Sequence, residues 1–288
     1  MLKNSELLLA ASVPLLWGFG FTFTKVGLNE FPPLFLMGLR FSLASLVLIW
    51  FVPIPRGQLK QIFWISFVGS TLRYGMTYTG LSMIDASLSI IIMQLGVPFS
   101  VLLAAILFKD KPGIQQILGM LISFAGIILI AGQPSLRGQL YAIFLTAAGT
   151  MMWALGQVMV KRLENPPSGF ALTAWIGVFS GPQTILGSFI FEENQLESLV
   201  QASWIGWGVI LYGSFLMTVL GYGIWYHVLS RNPVSKVMPV MLLLPVFTIA
   251  SSMLFLGEQP SLMIFIGAAV VIGGVLLIVL TKDSKLTS

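Results

Sequence analysis

Long uncharged or nearly uncharged runs separated by short polar joints set the pattern of this chain. The runs fall at about 7–28, 33–52, 61–82, 86–108, 113–132, 138–160, 169–190, 204–228, 234–256 and 261–281. Each approaches the roughly 20 apolar residues with which a helix crosses a bilayer core of about 30 Å. The joints collect prolines, glycines and charges, as at 29–33, 53–58, 109–113, 133–138, 164–169, 231–233 and 257–261, and such clusters mark turns. The pattern predicts an all-α integral membrane protein with ten transmembrane helices and no soluble domain. The first run continues well past the 7–15 apolar residues of a secretory signal, so a retained span is expected there.

Composition agrees with this pattern. Of 288 residues, 57% are hydrophobic and 9% charged, against about 45–50% and 25% in an average soluble protein. Fifteen basic and ten acidic residues cannot clothe a water-facing surface of this size. There is no cysteine and the net charge is only +5, which argues against a disulfide scaffold and against a nucleic-acid partner.

The basic residues give an orientation, because cytoplasmic loops are enriched in Lys and Arg. Lys3, Arg56, Lys60, Lys109, Lys111, Lys161, Arg162, Arg231, Lys236, Lys282 and Lys285 fall on the side of the N-terminus. Lys25 and Arg137 fall opposite, and Arg40 and Arg73 lie inside spans. Both termini are expected in the cytoplasm, and the protein in the cell (inner) membrane.

Landmarks recur in order. Trp17 and Lys25 return as Trp153 and Lys161, and Pro32-Pro33 as Pro166-Pro167. Pro98 returns as Pro245, Asp110-Lys111-Pro112 as Glu258-Gln259-Pro260, and Gly119 and Gly126 as Gly267 and Gly274. The expected division is into two repeats, 1–135 and 136–288, of five spans each. Five is odd, so the second copy enters the membrane from the other side. Inverted repeats (5+5) of this kind characterise secondary transporters that alternate access around a midplane site.

Trp17-Gly18, Lys25-Val26-Gly27-Leu28, Pro32-Pro33 and Gly38-Leu39-Arg40-Phe41, with Gly221-Tyr222-Gly223-Ile224-Trp225 and Pro239…Leu244-Pro245-Val246 through Gly257-Glu258, resemble the EamA family of the drug/metabolite transporter superfamily. The resemblance spans essentially the whole chain. It implies export of amino acids or related metabolites, with cysteine and O-acetylserine as the nearest match. Export of drugs or other small molecules, a channel, and a structural membrane protein are the alternatives. Asp110, flanked by two lysines, stands where the family commonly has Glu.

Several residues are candidates for contact with a substrate. Arg40 and Arg73 are costly inside a membrane and would face a wet cavity or protein interior. They could form a positive rim for a carboxylate, or snorkel, hold Asp85 or Glu30, or cap carbonyls between packed helices. Pro98 and Pro245 remove a helical donor four residues after Gln94 and Met241, freeing those carbonyls and making hinges. Trp17, Phe21 and Thr24 share one helical face, as do Trp153 and Gln157, Tyr74 and Tyr78, and Tyr222 and Trp225. The path is therefore expected along spans one, three, four, six, eight and nine. Gly119 and Ser123, with Ala269 and Gly273, offer small faces for packing or for a homodimer, leaving monomer and homodimer both open.

No acidic residue falls in mid-span, where a proton-coupled exporter of lipophilic cations would want one. The expected substrate is a small neutral, zwitterionic or carboxylate-bearing molecule. No metal cluster, nucleophile elbow or Walker motif occurs, so neither a cofactor nor an enzymatic activity is expected.

Overall fold

The computed structural model describes residues 4–109, 112–232 and 237–280. Lys3, Asp110, Lys111, Pro233, Lys236, Lys282, Asp283 and Lys285, used above for orientation, repeat matching or charge placement, lie outside the described residues. Among the described residues the structure is helical throughout, with no strand.

The first half contains α1 (Asn4–Gly27), α2 (Pro33–Leu48), α3 (Leu59–Ser66), α4 (Arg73–Met83), α5 (Ala86–Met93), α6 (Gly96–Phe108) and α7 (Ile114–Ala131). The second contains α8 (Leu140–Lys161), α9 (Gly169–Phe191), a short α10 (Gln195–Gln201), α11 (Trp204–Leu211), α12 (Tyr222–Arg231), α13 (Leu243–Leu256) and α14 (Leu262–Val279). Among the described residues, eight helices are long and apolar enough to cross a membrane. Two further rods are α3–α4, continuous over 59–83 but carrying Lys60, Arg73 and several hydroxyls, and the shorter Val240–Leu256.

Departures from regular helix occur at matching places in the two halves. Wide π-helical turns at Phe67–Leu72 and Tyr212–Gly221 join α3 to α4 and α11 to α12. The fourth rod breaks at 94–95, before α6, and a tight 3-10 turn at Met238–Leu242 precedes α13. Pro98 and Pro245 each follow such a break, because a residue without an N–H cannot extend the ladder behind it.

The halves interlock. α8 packs against α4 and α6 of the first half, while α1 packs against the Tyr212–Gly221 segment and α13 of the second. α2 lies on α9, and α7 on α14. In lipid such contacts depend on close packing of small residues. A Cβ on Gly119 would stand 2.5 Å from the Gly274 carbonyl, and one on Gly126 would stand 3.1 Å from the Gly267 carbonyl, so neither pair tolerates a side chain. The small face of α14 is thus Gly267, Val271 and Gly274, not the expected Ala269 and Gly273. Ala269 is exposed and nothing lies within 4 Å of a Cβ on Gly273.

On the face of the 29–33, 192–203 and 257–261 connections, each half caps helices of the other. Glu30 accepts from the Ser203 N–H and hydroxyl, both at 2.7 Å, at the start of α11. Glu192 accepts from the Leu34 and Phe35 N–H groups at 2.7 and 3.2 Å. Carboxylates suit these sites because the first turn of a helix leaves N–H groups unpaired and carries positive partial charge. The Lys25 ammonium makes the converse contact, donating to the Leu81 and Ser82 carbonyls at 2.6 and 3.0 Å near the end of α4.

Candidate functional site

A cavity of about 110 Å³ lies between the halves. The first half supplies Phe41, Ile65, Gly69, Ser70, Arg73 and Tyr74, and the second supplies Trp153, Gly156, Gln157, Val160, Leu172, Thr173, Ile176, Thr218, Tyr222 and Tyr226. It extends from Arg73 toward the helix ends bearing Lys60 and Lys161, the expected cytoplasmic side. A larger surface hollow, about 510 Å³, lies among the connecting loops at the other end, lined by Glu30, Glu193 and Glu197. It shares no lining residue with the cavity, and neither intramembrane arginine lines it.

Local backbone structure makes the cavity. Gly69 and Ser70 belong to the first π-helical segment and Arg73 follows it directly. Thr218 belongs to the second, and Tyr222 follows that one directly. A π turn widens the helix and shifts the register of the residues after it, and such turns recur at functional sites. Gly69 and Gly156 bring α8 against the first segment: a Cβ on Gly156 would lie 2.6 Å from the Gly69 Cα. The Trp153 ring lies against Gly96, where the fourth rod breaks; a Cβ there would be 2.7 Å from the indole.

The Arg73 guanidinium stands over the Tyr74 ring at 4.4 Å and within 5.6 Å of the Trp153 ring centre. Cation–π attraction of this kind strengthens where water is excluded. Tyr74 stacks on Tyr78 with centroids 5.2 Å apart, and Phe21 lies 6.0 Å beyond Tyr78. Tyr74, Tyr78 and Phe21 are all buried, so this column closes the inner end of the cavity.

Arg40 is 5% exposed and sits behind the wall rather than in it. Its Nε donates to the Gly213 carbonyl at 3.0 Å, and Nε and Nη2 approach the Thr218 hydroxyl at 3.4 and 3.3 Å. Nη1 has no hydrogen-bond partner. Of the structural alternatives for Arg40, capping a carbonyl between packed helices is the one found: it holds backbone and hydroxyl of the widened turn, while Glu30 caps α11.

Of the residues singled out from sequence, Arg73, Tyr74, Trp153, Gln157 and Tyr222 line the cavity. Phe21, Arg40, Tyr78, Gln94, Pro98, Trp17, Trp225, Met241 and Pro245 do not. The Trp17 indole donates to the Met217 carbonyl at 2.9 Å, and its ring lies 4.9 Å from Tyr222 and 6.2 Å from Trp225, behind the wall. The carbonyls expected to be free are used locally. Gln94 accepts from the Val97 N–H at 3.3 Å, and the Leu243 N–H turns back on Met241 and Val240. The helices lining the cavity also differ from expectation, with α2 and α9 contributing where spans one, four and nine do not.

Phe41, Ile65, Gly69, Ser70, Gly156, Val160, Leu172, Thr173, Ile176, Thr218 and Tyr226 were not anticipated. Only Thr218 and Tyr226 carried a signal, standing four residues either side of Tyr222 and so on its helical face.

Helices long and apolar enough to cross a bilayer, surrounding a cavity with an arginine in its wall, define a multi-pass membrane protein with an internal polar site. The chain belongs to the EamA-like transporter family, whose profile matches twice, over residues 4–132 and 140–280. A "Probable amino-acid metabolite efflux pump" of Salmonella typhimurium is 30% identical, with 92% of each chain covered. The protein of the same description in Escherichia coli is 29% identical over 95% of this chain and 94% of that one. An uncharacterized transporter of Archaeoglobus fulgidus is 27% identical over 96% and 98%. A crystal structure 17% identical in sequence shares the fold, with a TM-score of 0.64 and full coverage of both chains.

Proposed function

We propose that this protein is a secondary transporter that exports amino acids or closely related small metabolites, of the cysteine and O-acetylserine kind, by alternating access. The observation that carries this reading is Arg73, a cation held over Tyr74 and Trp153 in a cavity walled by both halves. In this reading α3–α4 and Val240–Leu256 cross the membrane with the other eight, giving ten spans. The halves 1–135 and 136–288 are then inverted five-helix repeats with both termini in the cytoplasm. The matching π segments, the matching breaks before Pro98 and Pro245 and the twofold family match support the repeat. The names given to the two bacterial relatives support efflux and the amino-acid class.

The cavity reaches the helix ends rich in lysine, while carboxylate caps tie the halves together on the opposite face. The structure then corresponds to an inward-open form, loading substrate from the cytoplasm. Rocking about the broken fourth rods and releasing the caps would expose the same residues outside.

The test is counterflow in proteoliposomes with labelled cysteine, O-acetylserine, threonine and aromatic amino acids. A carrier saturates and exchanges label against a gradient; conductance without saturation would identify a channel instead. Replacing Arg73 by Gln should cut exchange about tenfold or more at unchanged membrane abundance, since charged hydrogen bonds contribute about 1.5–3 kcal/mol.

A further inference from the structure

Two guanidinium groups stand in the membrane interior without an acid beside them. The wall around Arg73 contains no carboxylate. Arg40, one layer behind, is held by Thr218, the Gly213 carbonyl and the Tyr78 hydroxyl, all neutral groups. Among the described residues every Asp and Glu lies in a connection or at a helix end. A cation that is buried, as Arg40 is, or half-buried, as Arg73 is, needs a counter-charge or remains an electrostatic cost.

A zwitterionic amino acid would satisfy Arg73 with its carboxylate but bring an ammonium into the same small space. Ammonium groups are received by carboxylates or by open aromatic faces. The Tyr74 and Trp153 rings are already covered by Arg73. What remains is neutral: Gln157, the Thr173 and Thr218 hydroxyls, and the Tyr222 and Tyr226 rings, whose faces are engaged, Tyr222 by Trp17 at 4.9 Å and by Tyr226 at 6.0 Å, and Tyr226 by close contact with Gly169. A cavity of about 110 Å³ cannot separate an ammonium widely from the guanidinium. Like charges set close together in a confined site are disfavoured.

We propose that the preferred substrate is a net anion: a small monocarboxylate whose nitrogen is acylated or absent, favoured over a zwitterion of equal size. This rests on the cavity being the substrate site. Arg73 takes the carboxylate with its planar fork. Gln157 and Thr173 are neutral groups suited to an amide, and Arg40 adds positive potential from behind Thr218.

N-acetylserine and O-acetylserine are isomers of the same size, and at mildly acidic pH, where acyl migration is slow, one is an anion and the other a zwitterion. In proteoliposomes, N-acetylserine should drive saturable counterflow with a half-saturation at least about tenfold below that of O-acetylserine, as expected for one charged contact. Arg73→Gln should bring the two within about twofold of each other. Equal or better exchange of O-acetylserine by the wild-type protein overturns the anion preference and leaves the transporter reading standing. No saturable exchange with any probe, including the free amino acids, overturns the transporter reading itself. Titration of intrinsic tryptophan fluorescence, to which Trp153 in the wall contributes, decides the preference independently of transport and of the variant's folding. Equal affinities for the two isomers overturn it.

Discussion

The Glu258 carboxylate of the second half accepts the Ala86 N–H of the first at 2.6 Å. Its other oxygen takes the Ser87 N–H at 3.0 Å and the Ser87 hydroxyl. One side chain thus satisfies the first turn of α5 and ties the two halves on the face away from the cavity. Glu258→Ala should lower stability in detergent by about 1.5–3 kcal/mol, the range for hydrogen bonds to a charged group. It should also raise outward access, read as faster labelling of a cysteine placed at Tyr78. A variant with unchanged thermal unfolding and unchanged labelling would show that the cap does not hold this face shut.

Asp85 lies beside that cap. Burial pushes its carboxyl above the usual carboxylate range, the Glu258 carboxylate adds to the push, and the Lys25 ammonium opposes it. A raised folded-state value means that the folded protein binds the proton more readily, so Asp85 opposes folding when ionised. That penalty is present in full above the raised value and fades as pH falls through it toward the ordinary value near 3.9. The residue as a whole is exposed and its carboxyl only partly shielded from water, so the effect should stay below about 1 kcal/mol. Asp85→Asn should slightly raise the melting temperature at neutral pH and lose the gain on acidification. Thermal unfolding across mildly acidic pH checks both; a lower melting temperature at neutral pH would contradict the sign.

Gly156 faces Gly69 so closely that an added methyl would overlap the backbone. Gly156→Ala should cost about 1–3 kcal/mol by overpacking, and should reduce transport because both glycines line the cavity. Gly273→Ala, where nothing lies within 4 Å, should be neutral in the same unfolding and counterflow assays. Equal behaviour of the two variants would remove the close approach as a cause.

Thr218 links the cavity wall to Arg40. Thr218→Val keeps the shape but leaves more of a buried guanidinium without partners, at a cost of about 1–3 kcal/mol. Lower membrane abundance is expected, with Thr218→Ser close to wild type. If Val and Ser behave alike, the hydroxyl is not what holds Arg40.

The absence of cysteine gives a clean background for topology. Single cysteines at Arg56, Lys109 and Arg231 should react with an impermeant maleimide in everted vesicles, and one at Arg137 only in right-side-out vesicles. Labelling of Lys109 or Arg231 from outside would invert the orientation.

The helical, lipid-embedded character of the chain was legible because it depends on run length and charge scarcity, which any stretch shows by itself. The two arginines and the aromatic faces were legible as candidates for the same reason: a cation or a patterned face in a span is local information. Which of them meet was not. Gln94 and Pro98 looked alike to Tyr222 as candidates, yet the fourth rod satisfies its freed carbonyl by tightening at Val97. Ala269 and Gly273 matched the small-residue spacing, yet α14 is rotated so that Gly267 and Gly274 make the contact.

The sequence by itself determined that this protein lives in a membrane, that it carries two arginines and no acid away from the ends of its spans, and that its landmarks recur. Tertiary structure alone decided that Arg73 faces the cavity while Arg40 stands behind it. It also decided that α2 and α9 form part of the wall, and that Glu30, Glu192 and Glu258 cap helices of the opposite half. The reason is physical: hydropathy and charge are properties of a segment, whereas a cavity exists only where helix rotation, widened turns and close glycine contacts bring distant segments together.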